Sequence, residues 1–122
     1  MKERIRMVLV DSHTLVRKAV RRLLVVDPAI TVSAEAETPE HMERALRRHH
    51  PDILVLDPAL QNDDGLTLIR VVRARYPALP ILILSQHKET LFAEATLRAG
   101  AQGYLMKSDA PDHLMEAVYQ VV

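Results

Sequence analysis

The chain has 122 residues, 48% of them hydrophobic, enough for one domain that buries about two-thirds of its unfolded surface without a disulfide or metal staple. The absence of cysteine excludes disulfide scaffolds, thiolate zinc sites and cysteine nucleophiles. Sixteen basic residues balance sixteen acidic ones, and three Tyr with one Phe are too few for a base-stacking surface, so neither a general pull toward nucleic acid nor a stacking platform is present.

Met1-Lys2-Glu3-Arg4 leads into no secretory segment and no apolar run approaches membrane-spanning length, so a cytoplasmic domain without a membrane partner is expected. The first strand is expected at Met7-Val8-Leu9-Val10. It is followed by a helix in which Leu15, Val16, Ala19, Val20, Leu23 and Leu24 repeat with helical period. Arg17, Lys18, Arg21 and Arg22 take the opposite, solvated face, a surface on which a partner or a second copy could dock, and Asp27-Pro28 ends the helix. Ile30 to Ala36 alternates enough for an edge strand. A second helix runs from about Pro39, with Met42, Ala45 and Leu46 inward, to His49-His50-Pro51. Ile53-Leu54-Val55-Leu56 is the next strand. Asp63-Asp64-Gly65 can cap a helix whose Leu68, Ile69, Val72 and Tyr76 share one side before Pro77. Ile81-Leu82-Ile83-Leu84 is a fourth strand, followed by a helix over about Lys88 to Ala99 that Gly100 can close. Tyr104-Leu105-Met106 is the fifth strand. Ser108-Asp109-Ala110-Pro111, a cap with an early proline, opens a last helix burying Leu114, Met115, Val118 and Val122.

Four of the strand runs are apolar without alternation, the pattern of strands covered on both faces. Five β-α units in one 122-residue domain therefore describe an α/β fold with a parallel sheet between helical layers. Ligands of such sheets gather at the carboxyl ends of the strands. There the chain places Asp11-Ser12, Asp57, Ser85 and Lys107. Any strand exits into a polar residue, but acid, acid, hydroxyl and amine together suit phosphoryl transfer to a carboxylate, which needs positioning and charge neutralisation above all. Asp57 is the expected nucleophile. Asp11 and Asp57 can share Mg²⁺, which accepts one or two carboxylates and completes its shell with water and phosphate oxygen. Lys107 supplies a point charge to a second phosphoryl oxygen and Ser85 a hydrogen bond to a third.

Val8-Leu9-Val10-Asp11-Ser12-His13, Pro51-Asp52-Ile53-Leu54-Val55-Leu56-Asp57, Leu84-Ser85 and Gly103-Tyr104-Leu105-Met106-Lys107 together resemble the receiver domain of two-component response regulators. The resemblance spans the whole chain, residues 1–122, and with Asp11-x-His13 and Arg98-Ala99-Gly100-Ala101-x-Gly103-Tyr104-Leu105-x-Lys107 it is similar to the NarL/FixJ branch. It implies a CheY-like, flavodoxin-type doubly wound (βα)5 fold with five parallel strands in the order 2-1-3-4-5. It further implies Asp57 as phospho-acceptor for a sensor histidine kinase, and a metal site of Asp11, Asp57 and the backbone carbonyl of Ala59. Ser85, Tyr104 and Lys107 are the implied switch and phosphate-binding residues, and Ala59 and His87 the implied tuners of acyl-phosphate lifetime. DNA binding would require a LuxR-type output domain outside these residues.

Two departures bear on function. Ser12 stands where the family usually has a second metal-binding acid, so Mg²⁺ binding is expected to be weak, with Ser12 acting through its hydroxyl or a water. Pro58-Ala59-Leu60-Gln61-Asn62 replaces the family's usual loop, and Pro58 removes a backbone donor beside Asp57. These substitutions leave a phosphorylation-independent interaction module of the same fold as the alternative. An aspartate-nucleophile phosphohydrolase is disfavoured because Ala59 stands where its second Asp is needed, and an FMN carrier because Asp11 would repel the flavin phosphate. At most, self-phosphorylation and self-dephosphorylation at Asp57 are expected as activities. His13, His41, His49, His50 and His113 show no H-E-x-x-H spacing, and His49-His50 before Pro51 reads as a helix end.

Overall fold

A computed structural model describes residues 4–60, 65–86 and 90–122. Within them, strands and helices alternate as β1 (Ile5–Val10), α1 (Thr14–Leu24), β2 (Ile30–Ala36), α2 (Pro39–His49), β3 (Ile53–Leu56), α3 (Gly65–Arg75), β4 (Ile81–Ser85), α4 (Thr90–Ala99), β5 (Gly103–Met106) and α5 (Ala110–Val121). The strands form one parallel sheet in the order β2-β1-β3-β4-β5. This is the doubly wound order expected above, and β2 is indeed the edge strand. Its pairing with β1 slips between Met7 and Val8, leaving Ser33 unpaired as a bulge.

The unbroken apolar runs follow from the two-sided core. Val8, Val10, Leu54, Leu56, Ile81 and Ile83 face one layer, where Met42 and Leu46 of α2, Ile69 and Val72 of α3 and Ala99 of α4 pack. Met7, Leu9, Ile53, Val55, Leu82 and Leu84 face the other, where Val20 and Leu24 of α1 and Leu114 and Val118 of α5 pack. Successive strand residues point to opposite faces, so these core stretches of β1, β3 and β4 must be apolar without alternation, whereas the edge strand β2 alternates.

Helix ends are set by local chemistry. The Thr38 hydroxyl accepts the His41 N–H at 3.1 Å and Pro39 follows, while His50 closes α2 in the left-handed region at φ 45°. Gly100 closes α4 at φ 132°, with Gly100 N–H donating to the Leu97 carbonyl and Ala101 N–H to that of Thr96, both at 3.1 Å. Arg73 of α3 seals this corner, donating to the Gly100 carbonyl at 3.0 and 2.8 Å and to Gln102 Oε1 at 2.6 Å. A Cβ on Gly100 would lie 2.8 Å from Arg73 Cγ in a strained backbone conformation. Gly100→Ala should therefore cost about 1–3 kcal/mol. Urea unfolding checks this, and a change within about 0.5 kcal/mol, the range of surface substitutions, would show that the corner relaxes freely.

Three sequence expectations need correction. Leu15 is 80% exposed and Ala19 is exposed as well, because α1 meets the sheet along one narrow stripe, centred on Val20 and Leu24, and these two residues lie off it. Val122 is half-exposed, since it lies beyond the last turn of α5. Ser108 does not cap α5. A 3₁₀ turn over Lys107–Asp109 intervenes, Asp109 takes the cap position, and it makes no side-chain cap bond. The caps expected at Asp63 and Asp64, and Lys88 at the start of α4, lie outside the described residues.

Candidate functional site

The sheet delivers its polar strand ends to one edge. Asp57 follows β3 and its N–H donates to the Val10 carbonyl at 2.9 Å, which sets it level with Asp11 on the neighbouring strand. Ser85 ends β4 opposite Met106 of β5, and Lys107 is the next residue. Asp11, Asp57 and Ser85 are buried, a rare state for carboxylates.

Lys107 joins the two acids. Its Nζ lies 2.6 Å from Asp57 Oδ2, to which it donates a hydrogen bond, and 2.8 Å from Asp11 Oδ2. The second approach is ionic: Asp11 Oδ2 is buried and takes no hydrogen bond of acceptable angle. Burial draws the Lys107 pKa down, but contact with Asp11 and Asp57 and the charge of both carboxylates outweigh it, and the ammonium is held above its ordinary value of 10.5. Two carboxylates against one ammonium leave the pocket with a net negative charge.

The remaining carboxylate oxygens are bound by the chain itself. Asp57 Oδ1 accepts the Ala59 N–H at 2.9 Å, so the donor that Pro58 lacks is supplied one residue on. Asp11 Oδ1 accepts the His13 N–H at 2.8 Å, with His13 Nδ1 at 3.3 Å from the same oxygen. Gly65 packs on the loop after Asp57, where an added Cβ would lie 2.8 Å from the Pro58 carbonyl oxygen. Ser12 is half-buried beside the pocket and Ala59 is exposed. Tyr104, two residues before Met106 on β5, is partly buried and meets Phe92 of α4 edge-on, with ring centres 6.2 Å apart. His87 lies outside the described residues.

The donors suit a hard divalent cation. Asp11 Oδ2 is buried without a hydrogen bond and faces the Asp57 carboxylate across the Lys107 ammonium, so two anionic oxygens converge where a cation could sit. Among the described residues no three His, Asp or Glu side chains are arranged to hold a metal, so the protein offers two carboxylates. That set fits Mg²⁺, which keeps several waters, and does not fit zinc, whose sites take three or four protein ligands.

Sequence reasoning overlooked Arg17, read as solvated. Its Nη1 donates to the Asp11 carbonyl at 2.6 Å and its Nε to Glu35 of β2 at 2.9 Å, where Arg21 also binds. It overlooked Phe92 too. Nothing in the helical period of α1 or α4 marks either residue, since both contacts leave the helix for a neighbouring element.

A buried pair of carboxylates clamped by a lysine, at the carboxyl edge of a 2-1-3-4-5 parallel sheet, defines a doubly wound α/β domain with an acidic site where such sheets bind their ligands. The chain belongs to the response regulator receiver domain family, whose model matches residues 7–119. It is 33% identical over 115 residues to the transcriptional regulatory protein DegU of Brevibacillus brevis, covering 94% of this chain and 49% of that protein. It is 32% identical over 117 residues to the response regulator UvrY of Escherichia coli K12, covering 96% and 54%. The chain thus spans about half the length of these curated relatives. A LuxR-family two-component response regulator from Aurantimonas sp. SI85-9A1 superposes with a TM-score of 0.90 at 36% identity, covering 97% of this chain and 84% of that one. The signal receiver domain of NarL from Mycobacterium tuberculosis gives 0.87 at 29% identity, covering 97% and 95%. The chain is therefore a receiver domain of two-component signal transduction, of the kind found in transcriptional regulators; such domains are regulatory and generally bind Mg²⁺ in the acidic pocket.

Proposed function

We propose that Asp57 accepts a phosphoryl group from a sensor histidine kinase. The donor's P–N bond breaks, leaving its electron pair on the imidazole, and a P–O bond forms to the Asp57 carboxylate. The observation that carries this reading is the Lys107 ammonium bridging Asp57 at 2.6 Å and Asp11 at 2.8 Å. It supplies a fixed positive charge where the phosphoryl oxygens arrive. Asp11, Asp57 and the Ala59 carbonyl would hold Mg²⁺, which when bound neutralises phosphoryl oxygens. Binding is weak because Ser12 contributes a hydroxyl, directly or through a water, where a charge is usual.

Ser85 and Tyr104 form the switch in this reading. The hydroxyl is drawn toward the phosphoryl group and the aromatic ring follows, changing the surface around α4, β5 and α5. The edge contact with Phe92 gives Tyr104 a direct mechanical link to α4. Ala59 and His87 tune the lifetime of the acyl phosphate. The output is DNA binding by a domain outside these residues, and the domain works in the cytoplasm; among the described residues no helix is long and apolar enough to cross a membrane.

A second copy is a further partner. α1 carries four cations and no acid, of which Arg17 and Arg21 are bound by Glu35 while Lys18 and Arg22 are exposed, whereas α5 carries Asp112 and Glu116 and neither lysine nor arginine. Both helices cover the same sheet face, and exposed Leu15, Val25, Val26 and Tyr119 belong to them or follow them in sequence.

The test is mass spectrometry after incubation with acetyl phosphate and Mg²⁺. We expect the wild type to gain the mass of one phosphoryl group and Asp57→Asn to gain none. No gain on the wild type would overturn the proposal and favour the phosphorylation-independent module, a reading the family membership does not favour.

A further inference from the structure

The direction of the Asp11 carboxylate depends on its main chain as well as on Lys107. One of its oxygens is held by the His13 N–H and the other faces the Lys107 ammonium at 2.8 Å without a hydrogen bond, so the turn over residues 11–13 sets from which side the carboxylate meets that ammonium. The guanidinium of Arg17 grips that turn. Nη1 donates to the Asp11 carbonyl at 2.6 Å, Nη2 to the Thr14 hydroxyl at 3.2 Å and Nε to Glu35 Oε1 at 2.9 Å. The Arg17 side chain is 12% exposed. We propose that Arg17 is a positioning residue for the acidic pocket, using Glu35 of the edge strand as its anchor to hold Asp11 at the cation site. The inference rests on the cation-binding reading given above.

The anchor is firm. Glu35 lies in register with Leu9, two residues before Asp11, and the Asp11 N–H donates to Ala36 at 3.1 Å, so the anchor and the pocket share the same two paired strands. Arg21 binds the second Glu35 oxygen. Burial raises the Glu35 pKa, but the hydrogen bonds and charges of Arg21 and Arg17 overcome it, and the carboxyl sits below its ordinary value. Glu35 stays charged and holds Arg17 at neutral pH. Ser12 sharpens the consequence: with no second acid beside Asp11, an Asp11 carboxylate swung aside leaves Asp57 as the sole anionic ligand.

Charge alone predicts the opposite outcome. A guanidinium near the pocket repels a divalent cation, so its removal should tighten Mg²⁺ binding if Arg17 acts only through its field. Positioning requires that its removal weaken binding. The sign of the change separates the two.

The experiment measures Mg²⁺ affinity of the full chain by isothermal titration calorimetry, with amide NMR spectra of the metal-free proteins. Arg17→Ala should bind Mg²⁺ about ten-fold more weakly or worse, the usual cost of removing an outer-shell partner, and the metal-free His13 amide should shift. Arg17→Lys keeps the charge but cannot span the three acceptors as the guanidinium does, so it should recover part of the loss. Glu35→Gln, which leaves the Asp11 contact in place, should lie between wild type and Arg17→Ala and provides the measurement if Arg17→Ala does not fold. Unchanged or tighter Mg²⁺ binding in Arg17→Ala or Glu35→Gln would overturn the proposal and leave Arg17 as a structural ion pair. A wild type that binds no Mg²⁺ would instead overturn the cation-site reading, and this inference with it.

Discussion

Lys107→Met should lower the stability of the metal-free domain by about 3 kcal/mol, the lower end of what removing one partner of a buried ion pair costs. The lysine side chain is 17% exposed while those of Asp11 and Asp57 are 2% and 8% exposed, so the variant strands two carboxylates that water barely reaches. The loss should depend on pH in one direction. The Lys107 pKa is raised in the folded state, so its stabilisation is complete below the ordinary lysine value of 10.5 and disappears as pH rises through the elevated one. Urea denaturation from neutral pH upward should therefore show a gap between wild type and variant that closes only in strong alkali. The same substitution removes the cation that competes with metal for Asp11 Oδ2. Millimolar Mg²⁺ should accordingly raise the melting temperature of Lys107→Met more than that of the wild type, by mass action on the folded state. Equal stabilisation of the two proteins would mean that metal and lysine do not share a site.

Ser12→Asp should tighten Mg²⁺ binding at least about ten-fold, which corresponds to roughly 1.4 kcal/mol. A unit charge ~4 Å from the cation is worth about 4 kcal/mol of gross attraction at an effective dielectric near 20. Part of that is lost to displaced water and to repulsion from Asp11 and Asp57. The repulsion should also appear without metal, as a melting temperature below that of the wild type, because a third carboxylate joins two buried ones. Titration calorimetry and thermal unfolding with and without Mg²⁺ measure both effects. An unchanged affinity would show that residue 12 does not face the cation, and would remove the reason for expecting weak binding in the native chain.

The pocket was legible because each of its members sits at the end of a strand or immediately after it, and strand ends can be read from apolar runs. Asp11, Asp57, Ser85 and Lys107 needed no long-range information once the sheet was taken as parallel. The resemblance to receiver domains added the roles of Ala59, Tyr104 and His87, which hydrophobic patterning does not reveal. Helix faces were read less well. Leu15 and Ala19 fit the helical period, yet only the sheet beneath α1 selects which stripe is buried, and that stripe excludes both. Ser108 has the chemistry of a cap, but the 3₁₀ turn after Lys107 moves the start of α5 one residue on.

Alternating runs of buried-strand and amphipathic-helix residues were sufficient to specify a five-unit parallel α/β domain and to bring its polar strand ends to one edge, because these patterns are local and their periods differ. The partners of those groups were decided by the packed fold. The Lys107 ammonium lies between two carboxylates from other strands, Arg17 reaches from α1 to Asp11 and Glu35, and Phe92 meets Tyr104. Each of these contacts depends on a distance of a few ångströms between different elements of the fold, and neither the helical nor the strand period encodes such a distance until the sheet and its two helical layers have closed.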